Sequence, residues 1–276
     1  MKKTVFVLSL LLYISWANAQ NILVPTAKED NLCGKIKQYI SQSYEATKDA
    51  QGRIVKGDYL GRKLQTYNPL GDNTEMSSYG SDGSLLKQSL FMRNEKGQLL
   101  EMCRYAYDIF QAVGYSKYNE KGQLVQTDHY REGKKDDWVR HTYNKNGKIA
   151  ESTQYFPNDT FRESVSYKYD KHERLVEIWN ITRTQNIKAV SYTYDSKGNK
   201  REMIRYRGDK IRSKTTFNNK GDISTFTSYN EDGSEDDYRR YEYPSYDAHG
   251  NWTECISYDR NDIPQRIYIR SITYYD

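Results

Sequence analysis

This 276-residue chain is poor in the side chains that usually build a core. Leu, Ile, Val and Phe together number 51, about 18 %, under the roughly 20 % below which disorder becomes the default suspicion. That argues against a helical bundle and against a large aliphatic-core enzyme. Long apolar runs are also missing. Only Val5 to Ile14 qualifies, and the mean hydropathy is −0.98, which argues against a polytopic membrane protein. Excess charge of one sign is absent too: 42 basic residues face 37 acidic ones, a net charge of +5. The disorder rule is therefore only half met, and there is no electrostatic case for nucleic acid. Proline occurs five times and cysteine three times, so little interrupts a strand and no disulfide framework is implied.

Cys33, Cys103 and Cys255 are too widely spaced for a metal pattern or a CxxC redox motif. In an oxidising compartment one pair can bond and leave one thiol over. Equally, all three can stand apart as small buried residues. The amino terminus supplies the compartment. Lys2 and Lys3 precede the short apolar run, which is too short to span a bilayer, and Ala17-Asn18-Ala19 fits a small-x-small cleavage pattern. The expectation is a signal peptide over 1–19 cut before Gln20, with an uncleaved amphipathic anchor as the alternative. A mature chain from Gln20 carries a net charge of +3, because residues 1–19 hold two lysines and no acid. It is expected in a periplasm or outside the cell.

What the chain does have is tyrosine, 27 residues or about one in ten, and the tyrosines fall in a repeat. The unit is an aromatic residue, Asn or Asp, two variable residues, Gly, one variable residue, then Leu or Ile. Tyr118 to Leu124 and Tyr143 to Ile149 are clear copies. Tyr169 to Leu175 carries Glu173 at the glycine position, and Tyr194, Phe217, Tyr229 and Tyr246 open further copies. Looser copies surround Gly52, Gly71, Gly83 and Gly97, and a decayed one begins at Tyr258. Gly97, Gly122, Gly147, Glu173 and Gly198 follow one another at intervals of 25 or 26 residues. Second turn signals lie between them, at Gly133, Asn158-Asp159, Gln185-Asn186 and Gly208-Asp209. A turn about every 12 residues is the cadence of an all-β meander with two strands per repeat. Asn or Asp can accept an amide hydrogen bond within the turn. Gly97, Gly122, Gly147, Gly198, Gly221 and Gly250 supply the positive φ that closes it. Glu173 should be strained. The flanking residues should pair across strands as Tyr118 with Leu124, Tyr143 with Ile149 and Tyr169 with Leu175.

The pattern Tyr192-x-Tyr194-Asp195-x-x-Gly198 resembles the YD repeat of Rhs-type proteins. Gly52-Arg53-Ile54 and Glu173-Arg174-Leu175 echo that family's G-R-L step. The resemblance covers about residues 44–276. It implies a β-strip that coils into a shell around a toxin domain, although neither such a domain nor a core-ending signature is expected here. A lesser resemblance is to hairpin repeats of the MORN type. From the repeat itself the expected fold is all-β: an extended, curved antiparallel meander of about 20 strands spanning 35–276. A flexible lead-in is expected over 20–34, and residues 35–47 read as a strand in preference to a helix.

Chemistry is sparse. His172 and His249 sit in turns. His129 and His141 flank one turn and can face each other, but no third ligand is spaced to join them, so no metal or cofactor is expected. Asp232-Gly233 with Glu235, Asp236 and Asp237 fails the EF-hand spacing and reads as a solvated turn. No nucleophile, phosphate-loop or glycosidase pattern stands out. Trp252 takes the Leu/Ile position of its repeat and is structural. Trp138 and Trp179 lie outside the motif and are the candidate ligand-binding residues. The leading expectation is an exported, non-catalytic protein that presents a tyrosine-rich β surface to a protein or a cell-surface glycan. The alternatives are a carbohydrate or cell-wall binding module, an Rhs-like partial shell for a companion polypeptide, and a secreted hydrolase of unrecognised type.

Overall fold

The computed structural model describes residues 26–276; the expected signal peptide and cleavage point lie outside them. Eighteen strands follow in sequence among the described residues. They are β1 (Ile36–Lys48), β2 (Ile54–Tyr67), β3 (Asn73–Tyr79), β4 (Leu85–Arg93), β5 (Leu99–Ala106) and β6 (Ile109–Tyr118). Next come β7 (Leu124–Arg131), β8 (Lys134–Tyr143), β9 (Ile149–Tyr155), β10 (Phe161–Tyr169), β11 (Leu175–Ile181) and β12 (Asn186–Tyr194). The last six are β13 (Lys200–Arg207), β14 (Lys210–Phe217), β15 (Ile223–Tyr229), β16 (Glu235–Tyr246), β17 (Trp252–Tyr258) and β18 (Pro264–Tyr274).

Every strand pairs antiparallel with its sequence neighbours, and β1 also pairs with β18 over Ile36 to Glu45. The sheet is therefore a closed barrel. This corrects the expectation of an open curved meander. Repeat-to-repeat reasoning sees only neighbouring hairpins, and closure depends on one strand, β1, whose two edges are both taken. Closure removes the edges that an open sheet must blunt. Barrels of about this many strands can enclose a channel, and here the inward face is mostly buried or half-buried.

The turns explain the repeat. In each regular copy the backbone closes the same loop: the N–H of Asn94 donates to Gln98 O at 3.0 Å, and that of Gly97 to Asn94 O at 2.9 Å. The Asn94 side-chain oxygen accepts two further amides, from Lys96 and Gln98, both at 3.0 Å. Gly97, Gly122, Gly147, Gly198, Gly221 and Gly250 sit at φ between 76° and 87°. Glu173 adopts the same left-handed geometry at φ 60°, which costs a side-chain-bearing residue about 1–2 kcal/mol. Its carboxylate accepts from Asn146 Nδ2 at 2.5 Å and its carbonyl from Lys148 Nζ at 2.6 Å. The three aromatic–aliphatic pairs stand in register.

The two kinds of copy lie on opposite rims. Copies spaced by 25 residues are two strands apart and share one rim, with the start of β1 and the end of β18. The copies at Gly52, Gly83, Gly233 and Asp262 close loops on the other. On the first rim five tyrosines at or near the strand ends clamp the previous repeat. The hydroxyls of Tyr118, Tyr143, Tyr169, Tyr194 and Tyr243 donate to the carbonyls of Leu99, Leu124, Ile149, Leu175 and Ile223 at 2.8–2.9 Å.

Apolar packing is local. Val165, Ile178, Ala189, Val190 and Met203 form one cluster on β10–β13. Ile256, Tyr258 and Ile267 form another, packed against Ala46 and Ile54 of the β1–β2 hairpin. The third gathers Ala27, Leu32, Ile36 and Tyr67 where residues 26–34 cross the first rim. That segment, the described part of the expected lead-in, is tied at several points. The Ala27 N–H donates to Gly71 O, Asn31 Nδ2 to Asp222 Oδ1, and Tyr67 Oη to Asp30 Oδ2. Cys33 exchanges two hydrogen bonds with Asn251, at 2.7 and 2.8 Å.

Two glycines separate strain from collision. A Cβ on Gly52 (φ 77°) meets nothing, whereas one on Gly61 (φ 133°) falls 2.4 Å from Tyr79 O. Gly52→Ala should cost about 1 kcal/mol and lower Tm by about 2–4 °C. Gly61→Ala should lower it several times further, because β2 and β3 must part. Equal shifts in thermal unfolding would contradict this packing.

Candidate functional site in the barrel lumen

Cross-strand partners share a face, so the register sorts every strand residue into lumen or outer wall. The electrostatics of the two faces differ. On the lumen face burial dominates: it pushes the Tyr39 hydroxyl up, pulls Lys63 down to about 8 and Arg104 to about 10, and raises Tyr167 to about 12. On the outer wall ion pairs dominate. Lys188 and Trp179 hold the Glu177 carboxyl down to about 2. Burial pushes Asp128 up, but Lys117 and Lys135 outweigh it and leave it at about 2.

The outer wall is charged along the middles of its strands. Lys117 and Lys135 flank Asp128 at 2.6 and 2.8 Å, and Lys168 and Lys188 flank Glu177 at 3.2 and 2.8 Å. Lys214 pairs with Glu202 and Arg240 with Glu242. Exposed apolar side chains gather on β4–β6, where Met92, Phe110 and Tyr115 are each at least 43 % exposed. Among the described residues no helix is long and apolar enough to cross a membrane.

Both candidate tryptophans stand on this wall, one on β8 and one on β11, and both are half-buried with their edges engaged. Trp138 stacks on Tyr155 with centroids 4.4 Å apart and donates to Asp159 Oδ1 at 2.9 Å. Trp179 lies under Lys168 and Lys188 and donates to Glu177 Oε2 at 2.8 Å. Trp252 is covered by the Arg270 guanidinium at 3.5 Å. Cys33, Cys103 and Cys255 are all free thiols, respectively exposed, half-buried and buried; burial raises Cys255 to about 12.

His129 and His141 both face the lumen, but the register sets Asp137, not His141, opposite His129. His129 Nδ1 lies 2.6 Å from Asp137 Oδ1, and His141 Nδ1 lies 3.1 Å from Ser152 Oγ. The second pair is not a nucleophile–base unit. Ser152 and His141 are 0 % and 3 % exposed, Asp137 orients the other histidine, and no third group orients His141. Among the described residues no three His, Cys, Asp or Glu side chains gather to hold a metal. In the acidic turn, Asp232 accepts from Ser234 and Asp237 from Arg239.

The lumen itself was not singled out by sequence. Over β18, β1 and β2 and over β5–β7 it alternates long cations with very small residues, while over β10–β13 the same face carries the Val165, Ile178, Val190 and Met203 cluster. Ser41 separates Arg270 from Lys63, Ser43 separates Tyr268 from Gly61, and Ala112 and Gly114 lie across from Arg104 and His129. The only sequence signal was period-two alternation, which is equally polar on both faces.

No family model matches the chain, so the YD-repeat likeness rests on the motif alone, and no curated protein matches it. Among solved structures, a porin-like protein from Bacteroides uniformis is similar over 90 % of this chain and 99 % of its own, at 14 % identity and a TM-score of 0.46. A porin-like protein from Bacteroides vulgatus covers 87 % of this chain and 98 % of its own, at 13 % identity and a TM-score of 0.26. The TcdB2-TccC3-Cdc42 complex is similar over 83 % of this chain but 14 % of its own length, at 14 % identity and a TM-score of 0.39. Likenesses this distant carry no functional argument. By its own geometry the chain is a closed, all-antiparallel β-barrel of eighteen strands built from hairpins.

Burial pulls the His141 imidazole down to about 4, with the charge of His129 adding to it. The unfolded chain binds a proton there below about pH 6.5, and the barrel refuses it until about pH 4. Stability from this group is therefore complete above 6.5 and falls as pH drops through that window. Between pH 7 and pH 5 the wild type should lose about 2 kcal/mol more than His141→Asn. Urea unfolding at the two pH values measures it, and parallel losses would remove His141 as the cause.

Proposed function

We propose that this is an exported, non-catalytic binding protein whose working surface is the lumen of the barrel. One observation carries the reading: a closed wall surrounds an interior whose β18–β1–β2 and β5–β7 sectors set long polar side chains between serines, glycines and alanines. The tyrosines expected to form an open binding strip are used differently, since many of their hydroxyls clamp neighbouring carbonyls. The charged outer wall supports an aqueous setting. A barrel in a bilayer needs an outward apolar band about 25 Å tall, and cross-strand ion pairs occupy that place here. The leader over 1–19, cut after Ala19, would deliver the barrel to the periplasm or the exterior. The closed lumen also supports the reading in which a companion polypeptide segment is held inside. The glycan-binding reading keeps one support, the flat Trp138–Tyr155 stack on the outer wall.

A thermal-shift screen of soluble metabolites, oligosaccharides and peptides separates these readings. Compounds that stabilise the wild type should lose their effect in the lumen-filling variant Ser78→Trp/Ser89→Trp, whose positions lie across from Lys63 and Arg104, and keep it in Trp138→Ala/Trp179→Ala. The reverse pattern would move the site to the outer wall. Hydrolytic turnover abolished by one carboxylate change would sink the non-catalytic reading.

A further inference from the structure

Five consecutive strands of the closed ring, β16, β17, β18, β1 and β2, carry a concentration of hydrogen-bond donors on their lumen face. In one row across the seam, Arg270 and Lys63 flank Ser41 in direct register. Their backbones are two strand spacings apart, about 10 Å, with the short Ser41 side chain between them in register. In the next row Tyr268 and Gly61 flank Ser43. On the adjoining strands, Tyr241 faces Ser257, Ser257 faces Arg266, and Cys255 faces Tyr268. Arg239 acts on both Tyr241 and Tyr268 electrostatically.

Arg270 is held by ring stacking, and Asp30 and Asp222 act on it only through longer-range electrostatics. Its guanidinium stacks on Trp252 at 3.5 Å and on Tyr39 at 4.9 Å, and no ion pair reaches it among the described residues. The acids around the patch are committed or distant. Asp237 takes Arg239 Nε at 2.9 Å, Asp30 accepts from Tyr67, and Asp222 accepts from Asn31. Glu45 stands opposite Arg266 but is exposed at the far end of the seam. Meanwhile Arg239 Nη1, Arg270 Nε and the hydroxyls of Tyr241 and Ser257 are buried with no hydrogen-bond partner; Tyr241 is 7 % exposed and Ser257 0 %, and Arg266 reaches the Tyr268 hydroxyl. Donors left in this state are costly, because burial strips their water without replacing it. A charged acceptor is the species that several of them can share.

We propose that this seam is a binding site for a soluble ligand bearing an oxyanion, a carboxylate or phosphate group, held between Arg270, Lys63 and Arg239. The assignment rests on the lumen being the binding surface and names what it takes. Arg270 is pre-oriented by its two rings, so little side-chain freedom is lost when its planar fork meets the anion. Lys63 supplies a point charge across Ser41. Burial and the nearby Arg270 charge pull its ammonium down to about 8, and an anion between the two cations relieves that repulsion.

Calorimetry at low salt with pyrophosphate, with trigalacturonate and with neutral maltotriose tests the site, and Trp252 emission reports on Arg270 directly. One or both anions should bind and shift that emission, and maltotriose should do neither. Lys63→Met and Arg239→Gln should each weaken anion binding at least tenfold, while Lys117→Met on the outer wall leaves it unchanged. Melting curves check that each variant is folded. Binding of pyrophosphate alone assigns a phosphate ligand, and of trigalacturonate alone a carboxylated sugar. Absence of anion binding to the folded wild type, or binding indifferent to Lys63→Met and Arg239→Gln, overturns the assignment. If neutral ligands bind and Ser78→Trp/Ser89→Trp blocks them while anions do not bind, the lumen reading survives and the oxyanion assignment falls.

Discussion

Everything in this barrel depends on β1 finding two partners. Its lumen-facing Ser41 lies between Arg270 and Lys63, and its outer residues pair just as closely with β2 and β18. Without that double pairing the remaining strands form a strip with two open edges and no interior. The bulges at Ser43/Tyr44 and Tyr44/Ala46 fall within the β1–β2 pairing. Bulges of this kind bend and twist a ladder, and here they occur in the strand that joins the ends of the sheet.

A second constraint replaces the missing core. Tyr118, Tyr143, Tyr169, Tyr194 and Tyr243 lay their rings along the wall and spend their hydroxyls on a carbonyl one repeat back. Each such bond contributes about 1 kcal/mol, modest alone but repeated around the rim. Side chains of adjacent turns add to it: Gln98 reaches Gly122 O and Lys148 reaches Glu173 O. The rim is stitched laterally by polar bonds, and the three apolar clusters remain local. A chain with 51 aliphatic and phenylalanine side chains can thus hold a wide sheet, because stability accrues between neighbours and not in one centre.

The strands, their turns and the residues at each turn were legible in the sequence because they are set by local chemistry. Asn94, Gly97 and Leu99 act within one hairpin. Even Glu173, the exception, adopts the geometry its neighbours dictate. Closure was not legible, since nothing in β1 distinguishes a strand with one partner from a strand with two. The lumen was hidden for the same reason. Arg270 and Lys63 look like any solvated cation until the seam brings them to either side of Ser41. The two rims were half-visible: the copies at Gly83 and Gly233 break the 25-residue spacing because they close loops at the opposite end. Trp138 and Trp179 stood out because they lie outside the motif, yet their ring edges serve the wall.

The segment from Thr26 to Gly34 adds an order in time. It binds the turns at Gly71, Asp222 and Asn251, of which the last two are made late in synthesis. It can therefore dock only after the strands that carry those turns have folded, although it leaves the ribosome before all of them. Until those strands exist, these residues lack their partners at Asp222 and Asn251. Their docking is a late event of assembly, so protection of residues 26–34 from cleavage serves as a clock for completion of the barrel.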